Sequence, residues 1–330
     1  MNGRWEASDL LQPIAAGQPC GENLEDSALL ASFDRFRLFG NTTPLDPAPD
    51  WNEIKQQSIE ALSRSKDLRL LAHLGTALLR TDGLTAFNET LKVAAHWLDA
   101  YWADTYPRVD EDAVLRRSAL NCFSDQIAVI DGLRRSPLVS DRRIGRFSLR
   151  DMEIANGSIP PAADEARPDE AQINAAFLAM PLDDLKALSR STNEALAALK
   201  SIDARMRSDA GTEAAPGFEV LSGQLSKIDR ALRTQLAARP DAEPADDPGT
   251  GDAPRPAGAP LGAIKSRQDA VRALEAVAEY FRQVEPSSPL PLLLDRAKRL
   301  IAKNFLEVLA DIAPAALEQA RAAGGLKNSE

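Results

Sequence analysis

The chain is short of the residues that metal sites, disulfide scaffolds and many active sites depend on. It holds two cysteines, Cys20 and Cys122, and two histidines, His73 and His96, among 330 residues. Two cysteines exclude a disulfide framework, and two histidines exclude a His-rich metal cluster. Aromatic residues make up only 5% of the chain. Positive charge is also in deficit, with 39 Lys and Arg against 49 Asp and Glu and a formal net charge of −10. That balance argues against broad electrostatic capture of nucleic acid or anionic lipid. No uncharged run exceeds 12 residues, and Ala171 to Leu182, of that length, includes Gln172, Asn174 and Pro181. A membrane-spanning helix needs about 20 mostly apolar residues. Met1 to Leu11 carries Arg4, Glu6 and Asp9, which leaves no apolar core of signal-peptide type. The expectation is a soluble, reduced, cytoplasmic protein.

Catalytic motifs are missing as well. There is no phosphate-loop signature, no Gly-x-Ser-x-Gly elbow, no His-Glu-x-x-His pair and no Cys-x-x-Cys pair. Gly249 and Gly251 lie in a proline-rich stretch with no strand before them or helix after. His73 and His96 fall inside helical patterns and read as structural or surface residues. Cys122 reads as a small core residue, and Cys20 has no suggested His or Asp partner. The acidic cluster Asp110-Glu111-Asp112 reads as a helix start, since it lacks the ordered oxygen series of a calcium loop. The cations of Lys265 to Arg267 and Arg296 to Arg299 read as solvated helix faces without interleaved aromatics. The reading is a non-enzyme with no cofactor, no metal, no nucleic acid and no small-molecule substrate.

What the chain does contain is helical periodicity, and the fold class it predicts is mainly α. Residues 1–50 are punctuated by Pro and Gly, with one short helical stretch near Ser27 to Phe39. Asp50, with Glu53 three residues on, has the form of a capping box. Trp51, Ile54, Ala61 and Leu62 share the face of the helix that follows. Leu68, Leu71, Ala72, Leu78 and Leu79 repeat at helical spacing up to Asp82-Gly83. A third helix carries Phe87, Leu91, Ala95 and Leu98. A fourth, opening at the acidic cluster, has an apolar face of Leu115, Ala119, Cys122, Phe123, Ile130 and Leu133. Trp51 and Trp102 are expected to anchor the core. Pro137 to Ile154 alternates over short distances, which predicts a small β-hairpin. Leu185, Leu188, Thr192, Ala195, Leu199, Ile202 and Met206 keep a three-four spacing that resumes at Phe218, Leu221, Leu225, Ile228 and Leu232. That pattern predicts a two-helix coiled hairpin.

Arg239 to Pro260 has six Pro, three Gly, five Ala and no large apolar side chain. It cannot bury enough apolar surface to offset its ordering entropy, and it reads as a linker. Beyond it, Ser266-Arg267-Gln268-Asp269 opens a helix striped by Val271, Leu274, Val277, Ala278 and Phe281. Glu285 to Pro289 is a rigid connection to a helix over Leu290 to Lys303. A segment from Phe305 to Ile312 and a last helix after Pro314 follow. Such a small helical tail is marginal alone and points to oligomerisation. The organisation expected is a helical amino-terminal domain over 1–157, a helical hairpin over 168–238, a linker over 239–261 and a small helical oligomerisation domain over 262–330.

Several short stretches then carry a family resemblance. Pro19-Cys20-Gly21-Glu22-Asn23-Leu24, Asp50-Trp51, Ser65-Lys66-Asp67-Leu68-Arg69, Gly83-Leu84 and Tyr101-Trp102 followed by Pro107 occur in this order. Together they resemble the ImpA-type amino-terminal domain of TssA proteins of type VI secretion systems. Gly145 to Asp151 is similar to the end of that domain. Ser266 to Ala270, Phe281-Arg282, Glu285 to Pro289 and Arg296-Ala297 resemble the carboxy-terminal module of short TssA members. Asn23 stands where the family often has an acid, and Glu25-Asp26 where it often has an aromatic.

The resemblance implies an assembly component without catalysis. Its partners would be itself, as a ring-like homo-oligomer built through the tail, and the baseplate, tail tube or sheath, or membrane-complex proteins. It would act at the baseplate to start or guide polymerisation of the contractile tail. Leu274, Phe281, Leu292 and Leu293 are the oligomer-interface candidates. A generic cytosolic helical adaptor is the alternative.

Overall fold

The computed structural model describes residues 6–109, 113–162, 165, 167–239 and 241, and in the tail 274–275, 277–278, 281–282 and 290–301. The described fold is helical with one two-stranded hairpin, and it forms two compact units, 1–245 and 246–330.

The centre of the first unit is α4, Leu68–Thr81, held between α3, Trp51–Leu62, and α5, Leu84–Ala100. Each start is set by the chain's own chemistry. Asp50 accepts from the backbone N–H of Asn52 and Glu53, and Asp67 accepts from that of Arg69. The Glu53 carboxylate does not return to the Asp50 backbone in capping-box fashion. It accepts instead from Arg35 at 2.5 Å and Gln57 at 3.1 Å. Gly83, with φ of 87°, starts α5 without a side-chain cap. The apolar stripe read for α4 understates its burial. Leu70, Leu74, Gly75, Thr76 and Ala77 are buried too, so the helix is covered nearly all round. Close approach to α5 requires Gly75, because a Cβ there would lie 2.7 Å from Thr90 Oγ1.

The fourth helix is not continuous. It divides into α6, Val114–Asn121, a 3-10 turn Cys122–Ser124, a π turn Gln126–Ile130 and α7, Asp131–Arg135. Asp125 makes the break. Its Oδ1 accepts from the N–H groups of Ile127 and Ala128, and its Oδ2 accepts from Gly40 N–H at 2.7 Å. Leu115, expected on the apolar face, is 55% exposed, and Arg116 is buried in its place. Asp110 to Asp112 lie outside the described residues.

The predicted hairpin is present as β1, Pro137–Asp141, and β2, Gly145–Ser148, antiparallel with Val139 opposite Phe147. Ser148 and Asp151 close a full capping box that opens α8, Leu149–Ala155. The uncharged run becomes α9, Glu170–Ala179, which buries Ile173, Ala176 and Phe177. The coiled hairpin is α10, Leu182–Ala210, and α11, Glu219–Ala237. Its seam of Leu185, Ala195, Leu199, Ile202, Met206, Leu221, Leu225, Ile228 and Leu232 is buried as the spacing predicted. These residues belong to the same hydrophobic core as α3, α4 and α5. α10 lies along α5, where Asn88 donates to Ser191 Oγ at 3.1 Å and Lys92 pairs with Glu194 at 2.8 Å.

In the second unit, Lys298 pairs with Glu275 at 2.6 Å and with Asp295 at 2.7 Å, and Arg282 pairs with Asp295 at 3.0 Å. These contacts set the helical residues 274–275, 277–278 and 281–282 beside the tail helix Leu290–Ile301. The stretches 266–269, 285–289, 305–312 and the helix after Pro314 lie outside the described residues, as does most of the linker.

Candidate assembly surfaces

Three of the amino-terminal stretches that carry the family resemblance, 19–24, 65–69 and 101–107, converge on one knot inside the first unit. Lys66 N–H donates to Cys20 C=O at 2.9 Å, and Glu22 N–H to Arg64 C=O at 3.0 Å. On the other side, Leu68 N–H donates to Tyr106 C=O and Tyr106 N–H to Lys66 C=O. The segment 64–68 is thus stitched to residues 20–22 and 106. Lys66 is buried, and its Nζ donates to Leu10 C=O at 2.5 Å. The ammonium sits 5.1 Å from the Trp97 ring centre and 5.8 Å from that of Tyr101. Burial lowers the Lys66 pKa from its ordinary value. Asp67 is buried, and Arg69 holds it at 2.7 Å while also reaching Glu25 at 2.7 Å. The conspicuous Ser65 to Arg69 stretch is therefore a helix cap and a packing device, turned inward.

The tryptophans divide differently from the expectation. Trp97 is fully buried and donates Nε1–H to Leu10 C=O at 2.7 Å. Trp51 and Trp102 are half-buried at the edge of the core. Arginines cover them: Arg80 lies 5.2 Å above Trp51, and Arg116 and Arg205 lie 4.7 and 5.2 Å from Trp102. Arg116 also donates to the carbonyls of Pro107 at 2.8 Å and Thr105 at 2.6 Å. Sequence reasoning missed these inward-turned cations, Arg116 buried and Arg80 and Arg205 half-buried, because charge at a helical position reads as surface. The one usable signal was Arg116 falling one turn before Leu120 on the buried side.

His73 edges against the rings of Phe33 and Phe39, and its Nδ1 lies 2.9 Å from Arg69 C=O. A carbonyl partner requires a proton on Nδ1, and burial lowers the ring's pKa, so it is a neutral packing residue. His96 is exposed. Cys20 is buried with Sγ 3.8 Å from Thr105 Oγ1, and burial raises its pKa. Burial pushes the Cys122 thiol up to about 11. Neither thiol is poised as a nucleophile. Among the described residues, no group of three or more His, Cys, Asp or Glu could hold a metal ion. A groove of about 390 Å³ gathers Phe33, Phe39, His73, Leu115 and Cys122, with Glu25 and Asp34 beside them. It offers apolar contact and no activated group.

The four tail candidates separate into two kinds. Leu274 and Phe281 are half-buried. Leu292 and Leu293 are 75% and 58% exposed, next to Leu290 at 39%. No helix among the described residues is long and apolar enough to cross a membrane.

Comparison with known proteins agrees with the knot. The family described as "ImpA, N-terminal, type VI secretion system" matches residues 11–125. The Type VI secretion system component TssA1 of Pseudomonas aeruginosa is 30% identical over 334 residues, covering 94% of this chain and 95% of that protein. The chain belongs to the TssA family. In fold, it is similar to the solved N-terminal domain, including the conserved ImpA_N region, of the TssA component from Burkholderia cenocepacia. That match has a TM-score of 0.55 and 24% identity, over 70% of this chain and 93% of that one. As a TssA member the chain is a component of a type VI secretion system. The 11–125 match takes in residues 20–22, 64–69 and 106 of the knot, though not Leu10, so much of the family signature here marks the interior that shapes the domain.

Proposed function

We propose that this chain is a non-enzymatic assembly factor that works in the cytoplasm, at the secretion machine's baseplate, and starts or guides growth of the tail tube and sheath. Its tail, residues 262–330, multimerises into a ring, and the linker 239–261 lets the 1–157 domain and the 168–238 hairpin reach outward. Contacts to baseplate, tube, sheath or membrane-complex proteins are each weak, and the ring multiplies them through effective concentration. The observation that carries this reading is the tail helix Leu290–Ile301, which leaves Leu292 and Leu293 largely exposed within one chain. Adjacent exposed leucines on a helix mark a contact surface. Leu274 and Phe281, half-buried in the same unit, would complete it.

The test is solution mass by light scattering on the full chain and on residues 1–245. The shorter chain ends after Arg239, whose Nη1 donates to the carbonyls of Phe177, Leu178 and Met180 at the end of α9. A discrete multimer that becomes monomeric on truncation is the expected result. A monomeric full chain at micromolar concentration overturns the ring and favours the adaptor reading.

A further inference from the structure

Residues 134–150 hold six arginines and a single acid, Asp141, in a chain whose formal net charge is −10. Three of the six are matched within the fold. Arg134 pairs with Glu153 at 2.7 Å, Arg135 with Asp131 at 2.8 Å and Arg150 with Glu165 at 2.5 Å. The other three, Arg142, Arg143 and Arg146, are exposed and enter no ion pair among the described residues. All three lie at the tip of the hairpin. Arg142 and Arg143 stand in the turn between β1 and β2, and Arg146 in β2 itself.

The fold holds this tip firmly. Asp141 spends its Oδ1 on the backbone N–H groups of Arg143 and Ile144, at 2.8 and 2.9 Å, which closes the turn. Ile144 packs against the hydrophobic core and ties the turn down. Gly145, at φ of 138°, lies against the Phe147 ring, where a Cβ would come within 3.2 Å. Ser140 is paired with Arg146, next to the pair of Val139 and Phe147. Val139 and Phe147 are buried and side chains alternate along a strand, so Ser140 and Arg146 face outward, both exposed. Paired strands lie about 5 Å apart and successive residues about 3.3 Å along the chain. The three arginines therefore spring from backbone positions within about 10 Å of one another.

The tip thus offers positive charge on a backbone that binding need not order, which lowers the cost of association. Guanidinium groups pair bidentately with carboxylates. The surroundings select against a broad polyanion. Outside this stretch acids outnumber bases, and charges act over about 8 Å at physiological salt. A membrane or a duplex laid on the tip would reach that acidic remainder, whereas a short acidic segment meets the arginines alone. We propose that the hairpin tip is a docking point for a carboxylate-rich segment of a partner protein, held by Arg142, Arg143 and Arg146. The contact gives the 1–157 domain one of its outward partners, and to that extent rests on the assembly role. It is weak singly, because its charges face water, and a multimer repeats it.

The test uses the full chain and fluorescence polarisation of a labelled acetyl-hexaglutamate amide, with a hexalysine peptide as its opposite. The expected result is half-saturation in the hundreds of micromolar at low salt, lost at high salt. The triple variant Arg142→Ala, Arg143→Ala, Arg146→Ala should weaken binding at least tenfold with the circular dichroism unchanged. A second triple variant, Arg190→Ala, Lys200→Ala, Arg230→Ala, removes the same charge from exposed positions on α10 and α11, in no ion pair among the described residues. It should change binding less than twofold. No saturation up to 5 mM, tighter binding of hexalysine, or equal loss in the two triple variants each overturns the proposal. Flotation with phosphatidylglycerol vesicles, lost in the tip variant, makes the occupant a membrane and also overturns it. Binding is read per chain, so its failure leaves the ring standing, and a monomeric chain leaves the docking point standing.

Discussion

Replacing Leu292 and Leu293 together with Gln tests the ring most directly. Gln is nearly as good a helix former as Leu and close in size, so the tail helix should persist. The two leucines are 75% and 58% exposed in the single chain, and that exposure is what an interface would remove. Fully burying a leucine is worth about 1.5–3 kcal/mol, so the pair offers about 3 kcal/mol per subunit contact. At about 1.4 kcal/mol per factor of ten, losing it raises the concentration for half assembly roughly 100-fold. Light scattering on a dilution series reads that shift, and circular dichroism at each concentration confirms that the helices remain. A double variant with the parent's dilution curve and intact helicity would refute the assignment of these leucines to the interface. It would leave Leu274 and Phe281 to carry it.

Gly132 and Arg80 form a coupled pair, because a Cβ at Gly132 would lie within bonding distance of the Arg80 guanidinium. Gly132→Ala should displace the Arg80 hydrogen bond to Ala128 C=O, 3.0 Å long, and its stacking on Trp51, costing about 2 kcal/mol by urea unfolding. In an Arg80→Ala background the same change should stabilise α7 by about 0.5–1 kcal/mol; the same sign in both backgrounds refutes the clash. Lys66→Met should cost about 1–2 kcal/mol, whereas Lys66→Glu sets a carboxylate against Leu10 C=O and should abolish folding. The folded-state pKa of Lys66 is lowered, so the folded chain releases that proton first. Wild type should gain stability relative to Lys66→Met as pH rises from that lowered value towards 10.5, and a flat difference refutes it. At pH 8, Cys122 should hold about 100-fold less thiolate than in the unfolded chain. It should react with iodoacetamide about tenfold more slowly, after its greater intrinsic nucleophilicity is allowed for. The native rate should climb to about pH 11. A plateau near pH 9 would show an unshifted thiol. Because that pKa is raised on folding, the stability linked to Cys122 is complete below 9.0 and lost between 9.0 and about 11.

Local chemistry determined much of this protein without help from the tertiary structure. Helical spacing located α3, α4, α5, α10 and α11, because an apolar stripe must face a core wherever that core is. Asp50 and Asp67 fixed two helix starts, since capping acts within three residues. The alternation after Pro137 located the hairpin, and the ordered short stretches at both ends carried the family. Tertiary structure decided what those stretches do. Lys66 and Arg116, and the half-buried Arg80, carry charge that reads as surface, and only the convergence of distant carbonyls and rings lets them turn inward. Leu115 changed places with Arg116 for the same reason. The break at Asp125 is set by its own cap on Ile127 and Ala128, but its bond to Gly40, 85 residues away, forms only in the folded chain. A sequence states which residues suit a helix, a cap or a turn, because those choices are settled over a few neighbours. Which charges go inside is settled by partners that only the folded chain brings together.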